Sequence, residues 1–268
     1  MDGGTIQLSA SDLLLATLLV AVAGGVSFAL RLGLERRLAL AAVRTVVQLY
    51  IIGFVLKWVF QVDTPWALVP VIAVMILVAA REAVNRAARR YPRAMLDTFG
   101  TLFLCGLLTT FMVTQTVIRV DPWYKPQYVI PLLGMILGNG LTGISLCIDI
   151  LLERFSEQQA LVEMELAHGA TRWEAARGVL REAVRRGMIP VINAMMVVGL
   201  VSLPGMMTGQ ILAGNSPLQA VKYQIVVLFM IAAATSLGCI GTALLAYRRL
   251  FNADHQLRSE LITRMKKS

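Results

Sequence analysis

Seven runs of about 20 mostly apolar residues dominate the sequence and limit the folds that this chain can adopt. A helix of about 20 residues crosses the hydrocarbon core of a bilayer, and there only helices and closed barrels satisfy every backbone polar group. The runs lie near residues 12–31, 38–59, 66–81, 98–118, 127–151, 188–212 and 221–247, and the third is the shortest. The sequence therefore predicts an all-α polytopic membrane protein with about seven transmembrane helices.

The composition excludes an ordinary soluble protein. Hydrophobic residues make up 57% of the chain and charged residues 15%, whereas about 25% of the residues of a typical soluble domain are charged. The net charge of +9 would indicate nucleic acid in a soluble protein. In a membrane protein it is better explained by topology, so we predict a lipid bilayer as the surroundings and no nucleic-acid partner.

Basic residues concentrate after alternate apolar runs. Twenty of the 25 lysines and arginines follow the first, third, fifth or seventh run. They are Arg31, Arg36 and Arg37; Arg81, Arg86, Arg89, Arg90 and Arg93; Arg154, Arg172, Arg177, Arg181, Arg185 and Arg186; and Arg248, Arg249, Arg258, Arg264, Lys266 and Lys267. Cytoplasmic loops carry such an excess, which predicts an outside N-terminus and a cytoplasmic C-terminus in a multi-pass plasma-membrane (inner-membrane) protein.

Residues 1–268 are predicted to form a single membrane domain, because no linker or second unit interrupts the pattern. Within it, residues 152–187 form a cytoplasmic region and residues 248–268 a cytoplasmic tail. Residues 156–187 are the one long hydrophilic segment between apolar runs. Ser156 with Gln159, and Thr171 with Glu174, are spaced as capping boxes, and Gly169 suits a left-handed helix end. We expect a helix–turn–helix.

Two interpretations of the second helix of this segment stay open. Arg177, Arg181 and Arg185, which we call the arginine ladder, repel one another at i, i+4 spacing and call for lipid phosphates or an acidic partner surface. The same helix carries one apolar stripe, which is expected to lie against the membrane; it contains Trp173, Ala176, Leu180, Ala183, Val184 and Gly187. The helix is either an interfacial amphipathic helix or a docking element for a cytoplasmic protein, and the capped turn before it favours docking.

The sixth run contains the candidate translocation path. Pro204 removes a backbone donor in mid-run, and Gly205 follows it, so we expect a kinked helix that lines a cavity or is plain architecture. Four carboxamides in or beside the spans can supply oxygen ligands, and Asn139 is expected to be buried near mid-membrane. They are Gln48, Asn139, Asn193 and Gln210.

Sulfur-containing residues also lie in the apolar runs. Met195–Met196 and Met206–Met207 are either thioether ligands or packing residues, and packing is favoured because thioethers select Cu(I), whereas iron(II) and aluminium prefer oxygen or nitrogen. The three cysteines are predicted to pack, since their spacing suits neither zinc nor disulfides. The spans lack a dense set of carboxylates, so the sequence assigns no metal ligands.

Several motifs resemble known families. ELAHGATRWEAARG resembles the coupling loop of ATP-binding cassette (ABC) permeases, although Met164 and Glu165 stand where the importer pattern has two alanines. Over nearly the whole chain, RTVVQLYIIGFVLKWVF, IPLLGMILGN, ELAHGAT, VGLVSLPGMMTGQILAG, AVKYQIVV and YRRLFNADHQL are similar to FetB-type metal-export permeases, which have plant relatives linked to aluminium tolerance.

The resemblance implies a homodimeric permease subunit that exports a metal such as iron and is driven by a separate ABC ATPase. It implies that the ATPase-coupling residues are Glu163, Glu165, His168, Gly169, Ala170, Thr171, Arg172 and Trp173. The chain has no GxxxxGK[ST] phosphate loop, so we expect it to bind no cofactor, to be no enzyme, and to leave ATP-Mg to the partner.

The alternatives are an ABC permease for an organic solute such as a nucleotide sugar, and a gradient-driven carrier or channel. An intramembrane enzyme is disfavoured because the spans lack a catalytic constellation.

Overall fold

A computed structural model describes residues 9–62, 64–252, 254 and 256–264, and almost all of this chain is helical. Lys266 and Lys267 lie outside the described residues. The helices are α1 (Ala10–Ala29), α2 (Glu35–Val62), α3 (Pro65–Arg86), α4 (Ala94–Met112), α5 (Pro126–Glu157), α6 (Gln159–Ala167), α7 (Arg172–Val197), α8 (Gly205–Leu212) and α9 (Pro217–Leu250). A π-helical segment, Val113–Ile118, extends α4, and a 3₁₀ turn, Ser259–Leu261, lies in the tail. Two short strands, β1 (Arg89–Arg90) and β2 (Thr263–Arg264), pair antiparallel.

Six helices of the described residues are long and apolar enough to cross a membrane: α1, α2, α3, α4 with its π-helical extension, α5 and α9. This confirms the all-α membrane fold. The third span is longer than its run indicated, because α3 continues to Arg86 through residues whose small side chains are buried. The orientation of the helices relative to the two sides of the membrane stays a prediction from the charge pattern.

The expected sixth span, residues 188–212, is not one helix. α7 ends at Val197, residues 198–204 form a turn, and α8 has only 8 residues. Gly199 adopts a positive φ of 81° and its N–H donates to the carbonyl of Ser202 (2.9 Å). Pro204 has no N–H and precedes the first residue of α8, so it starts a helix instead of kinking one. The expected continuous kinked helix is therefore wrong.

α7 joins the hydrophilic segment to this break as one helix of 26 residues. The sequence predicts that the apolar stripe of α7 lies against the membrane. In the structure, α5 and α9 cover most of this stripe instead. Ala176, Ala183 and Gly187 are buried there. Trp173, at the end of the stripe, is 49% exposed.

α5, α7 and α9 approach one another most closely at two glycines. A Cβ at Gly143 would lie 2.6 Å from Cγ2 of Thr235 and 2.8 Å from the carbonyl oxygen of Gly187. A Cβ at Gly187 would lie 2.7 Å from the carbonyl oxygen of Gly143 and 2.8 Å from Sγ of Cys239. Only glycine permits this contact, which we call the glycine crossing. The Gly134–Gly138 pair contributes less, since nothing lies within 4 Å of a Cβ at Gly138.

The predicted capping box at Ser156 is wrong. α5 continues through Ser156 to Glu157, and α6 begins at Gln159 without a side-chain cap. The physical reason is tertiary packing, because Leu152 and Phe155 are fully buried in the main core and hold the last turns of α5 in helical form. α1 and α2, by contrast, pack mainly on each other at the edge of the fold, and most of their apolar side chains are exposed.

The glycine crossing predicts which glycines tolerate a methyl group. Gly143→Ala and Gly187→Ala should each lower the free energy of unfolding by roughly 1–3 kcal/mol, because the new Cβ meets backbone oxygen. Gly138→Ala on α5 and Gly178→Ala on α7 have open space and serve as matched controls. Thermal unfolding of the four purified variants checks this, and equal melting temperatures in all four would contradict it.

Candidate coupling turn and membrane path

The turn between α6 and α7, residues 168–171, has the conformation that the sequence predicts. Gly169 has a φ of 90°, and its N–H donates to the carbonyl of Leu166 (3.0 Å). The N–H of Ala170 donates to the carbonyl of Glu165 (3.1 Å), which completes a Schellman end for α6. The left-handed turn at Gly169 is therefore confirmed.

The predicted capping box at the start of α7 is also confirmed. The N–H of Glu174 donates to Oγ1 of Thr171 (3.3 Å), and the N–H of Thr171 donates to Oε2 of Glu174 (2.8 Å). The Thr171 N–H and hydroxyl hold the pKa of Glu174 below its usual value, because they stabilise the carboxylate. These bonds fix the angle at which α7 leaves the turn.

Several of the proposed coupling residues are exposed on α6 or in the turn that follows it. Glu163, His168, Gly169 and Thr171 are exposed, whereas Glu165 and Ala170 are partly buried. Nδ1 of His168 lies 2.7 Å from the carbonyl oxygen of Met164, so this ring is held against α6. The exposed side chains leave this surface open to a protein partner.

Arg172 and Trp173 connect the turn to residues that follow α9 or lie at its end. Nη1 of Arg172 donates to the carbonyl of Asn252 (3.4 Å). The Trp173 ring meets Tyr247 edge-on at 5.8 Å, and Tyr247 contacts Phe251 at 5.3 Å. Sequence reasoning missed this connection because its partners lie about 80 residues apart.

A second missed feature is an ion pair near the ends of α4 and α9. Nε and Nη2 of Arg249 donate to the two carboxylate oxygens of Asp97 at 3.2 and 3.1 Å. Asp97 is only 6% exposed. Beside it, Tyr91 is buried, and burial together with the Asp97 charge raises the pKa of this phenol. The pair fastens the α3–α4 connection to the end of α9.

The structure brings two of the candidate path residues together. Met206 and Gln210 of α8 line a cavity of about 360 Å³ with residues of α5, α9 and the preceding loops. The cavity is rich in carboxamides and phenols: Gln127, Tyr128, Asn215, Gln219 and Tyr223 also line it. Oε1 of Gln210 is buried without a hydrogen-bond partner in the protein. A polar solute in the cavity can supply the missing donor.

The other candidate path residues are dispersed within one chain. Gln48 is exposed on α2, Asn193 is exposed on α7, and Met196 is 73% exposed. Met195 and Met207 are partly buried, and Pro204 and Gly205 form the start of α8. The expectation of a buried Asn139 is wrong: it is exposed, and its Nδ2 donates to the carbonyl of Met135 (2.9 Å). This self-contained bond removes the need for a buried partner.

Within the described ranges, no three histidine, cysteine, aspartate or glutamate side chains are grouped so that they could hold a metal ion. Asp149, the one carboxylate of the fifth run, accepts from the N–H of Ala88 (2.8 Å) and serves the α3–α4 connection. The two buried cysteines, Cys147 and Cys239, lie beside the glycine crossing and fill its core.

Comparison with known proteins decides the family. Residues 10–251 match the model of the uncharacterised protein family UPF0014. The chain belongs to the UPF0014 family of membrane proteins. It is 41% identical to UPF0014 membrane protein slr1647 of Synechocystis over 230 residues, 84% of this chain and 87% of the relative.

Two further UPF0014 relatives carry functional names. The probable iron export permease protein FetB of Escherichia coli is 35% identical over 257 residues, 96% of each chain. Protein ALUMINUM SENSITIVE 3 of Arabidopsis thaliana is 33% identical over 248 residues, 92% of this chain and 89% of the relative. No solved structure matches the chain. The resemblance to FetB-type permeases is thus confirmed at the level of the family.

The Asp97–Arg249 pair generates a stability prediction. Arg249→Gln should lower the free energy of unfolding, because it leaves the buried carboxylate of Asp97 without its cation. The adjacent Arg248→Gln should cost less than about 0.5 kcal/mol, since Arg248 is exposed and has no ion pair within the described residues.

Thermal unfolding of the two single variants and of Asp97→Asn/Arg249→Gln checks this. The double variant should recover part of the loss, because no unpaired charge remains buried. Equal destabilisation by Arg248→Gln and Arg249→Gln would contradict the assignment.

Proposed function

We propose that the chain is the permease subunit of an ABC transporter that exports a metal ion such as iron from the cytoplasm. A separate ATPase subunit supplies the energy, and ATP-Mg binds to that partner. The name of the E. coli relative supports the transport of iron. The observation that carries the mechanism is the continuity of α7, which runs from the capped turn at Thr171 to the broken segment after Val197.

The proposed mechanism is mechanical. The ATPase binds the exposed surface formed by Glu163, His168, Gly169 and Thr171 and moves the turn when it closes on ATP. Because Thr171 caps α7 rigidly, the motion reaches the other end of this helix. The glycine crossing passes it to α5 and α9, since closely packed backbones cannot move independently. The broken segment at 198–204 then changes the access to the path.

A second copy of the chain completes the path in this proposal. The surface around the break is strongly apolar: Leu200 is 89% exposed and Val201 is 82% exposed. Asn139 and Asn193, dispersed in one chain, are exposed and free to line a path between two copies. The basic residues orient the dimer in the plasma membrane with an outside N-terminus and a cytoplasmic C-terminus.

The chemistry of the described residues fits transient passage of the metal as substrate. Carboxamide oxygens bind a hard cation weakly compared with a carboxylate cage, and an exporter must release its cargo. The neutral cavity at Gln210 also supports a second candidate, an ABC permease for a polar organic solute. Its carboxamides and phenols can hydrogen-bond hydroxyl groups, and no charged side chain lines it.

Transport by the reconstituted pair tests the function and the orientation together. In vesicles with the α6–α7 turn facing outward, added ATPase subunit and ATP should drive iron into the lumen. Vesicles of the opposite orientation should not respond, and neither should vesicles with the chain alone. ATP-dependent uptake of a nucleotide sugar instead of iron would select the organic cargo. Uptake without the ATPase, driven by an ion gradient, would favour a carrier.

Gly169 offers a specific test of coupling. Gly169→Val should reduce transport per ATP hydrolysed by about tenfold or more, because a β-branched residue is strained at a φ of 90° and shifts the turn. Nothing lies within 4 Å of a Cβ at this position, so the effect is conformational and not steric.

Gly169→Asn is the matched control, because asparagine tolerates the left-handed region. It should retain most of the coupling, while both variants insert and purify as the parent does. If Gly169→Val transports as much substrate per ATP hydrolysed as the parent does, the turn has no role in coupling.

A further inference from the structure

A groove between α7 and α9 is not used by the proposed mechanism. It encloses about 750 Å³, and the arginine ladder (Arg177, Arg181 and Arg185) forms one wall. Ile240 and Leu244 of α9 form the opposite wall and are 42% and 38% exposed. The groove therefore combines three like charges with an apolar wall that the fold leaves open.

The arginine ladder lacks ion-pair partners within the described part of the chain. Glu174 and Glu182 are close enough to Arg177 and Arg185 for their charges to interact, but their hydrogen bonds go to other groups: Glu182 accepts from Arg186 (2.7 Å), and Glu174 accepts from the N–H of Thr171 (2.8 Å). Three guanidinium groups at i, i+4 spacing repel one another. They also present planar donors that suit the oxygens of a phosphate. An anionic ligand would relieve the repulsion.

The groove lies near the point where the apolar part of α9 gives way to its basic last turn, and lipid headgroups are expected at such a boundary. Leu244 lies one turn before Arg248, where the apolar run of α9 ends and its basic residues begin. Trp173, an amphipathic ring typical of the membrane interface, lines this groove and also a second one of about 460 Å³. The second groove lies between α4 and α9 and is lined by Leu104 and Gly241. Trp173 and Leu244 thus line both grooves.

We infer that this surface binds an anionic phospholipid. The phosphate lies on the arginine ladder, and the acyl chains lie in the grooves on the two sides of Trp173 and Leu244. A free phosphate would use the charges but leave the apolar walls exposed, and an acidic protein would leave the grooves unfilled. Charge complementarity and the paired grooves both favour a diacyl lipid.

Brominated lipids test this site directly, because bromine on an acyl chain quenches a nearby tryptophan. The full-length chain with Trp58, Trp66 and Trp123 replaced by phenylalanine keeps Trp173 as its reporter, and these three rings are more than half exposed. It is reconstituted with brominated phosphatidylglycerol or brominated phosphatidylcholine at low mole fraction. The phosphatidylglycerol should quench Trp173 at a mole fraction roughly tenfold lower.

Arg177→Gln/Arg181→Gln/Arg185→Gln should remove most of this preference. The matched control, Arg36→Gln/Arg37→Gln/Arg258→Gln, makes the same charge change away from the groove and should keep it. Millimolar inorganic phosphate should not compete, since it lacks acyl chains, and competition by it would overturn the assignment to lipid. Equal quenching by the two lipids, or equal loss in both variants, would also overturn it.

The rival ligand, an acidic face of the ATPase, has its own readout. One outcome is that the triple variant of the arginine ladder keeps its lipid preference but loses binding of the ATPase subunit. In that case the arginine ladder belongs to a protein interface and the inference is wrong. Lipid selectivity of the chain alone does not depend on the cargo or on the ATPase. The inference and the proposed function can therefore fail separately.

Discussion

The rest of the structure depends on the close approach of three helices at Gly143 and Gly187. In a bilayer, burial of apolar surface does not drive helices together, so close packing and hydrogen bonds must do so. The carbonyl oxygens at the glycine crossing leave no space for a Cβ, which fixes the rotation and depth of α7 against α5 and α9. Every feature farther along α7 takes its position from this contact: the capped turn at one end, the arginine ladder, and the break at the other end.

Features set by neighbouring residues were predictable from the sequence. The apolar runs predict the long spans, and the Gly169 and Thr171 signals predict the turn and its cap, because these bonds join residues at most five apart. The break after Val197 was only half predictable. Pro204 and Gly205 marked the region, but either a kink or a full interruption is compatible with these residues.

Features set by distant residues were not predictable from the sequence. The Asp97–Arg249 pair joins residues 152 positions apart, and nothing in either local sequence names the partner. The same holds for β1 with β2 and for the two glycines of the crossing. Ser156 shows the opposite error: its local signal for a helix start is real, but the buried last turns of α5 outweigh it. Asn139 shows that an amide in an apolar run can satisfy itself on its own helix.

The tail has a consequence for how the protein is made. The Arg172 side chain bonds to the carbonyl of Asn252, and Phe251 packs on Phe155 and Tyr247, so the residues that support the α6–α7 turn include residues about 80 positions later in the chain. Ribosomes release a chain from its N-terminus onward. α6 and α7 are therefore synthesised before this support exists, and the turn acquires its final setting only after residues 247–252 have been made and packed. A chain interrupted between α7 and Tyr247 would present the turn without this support.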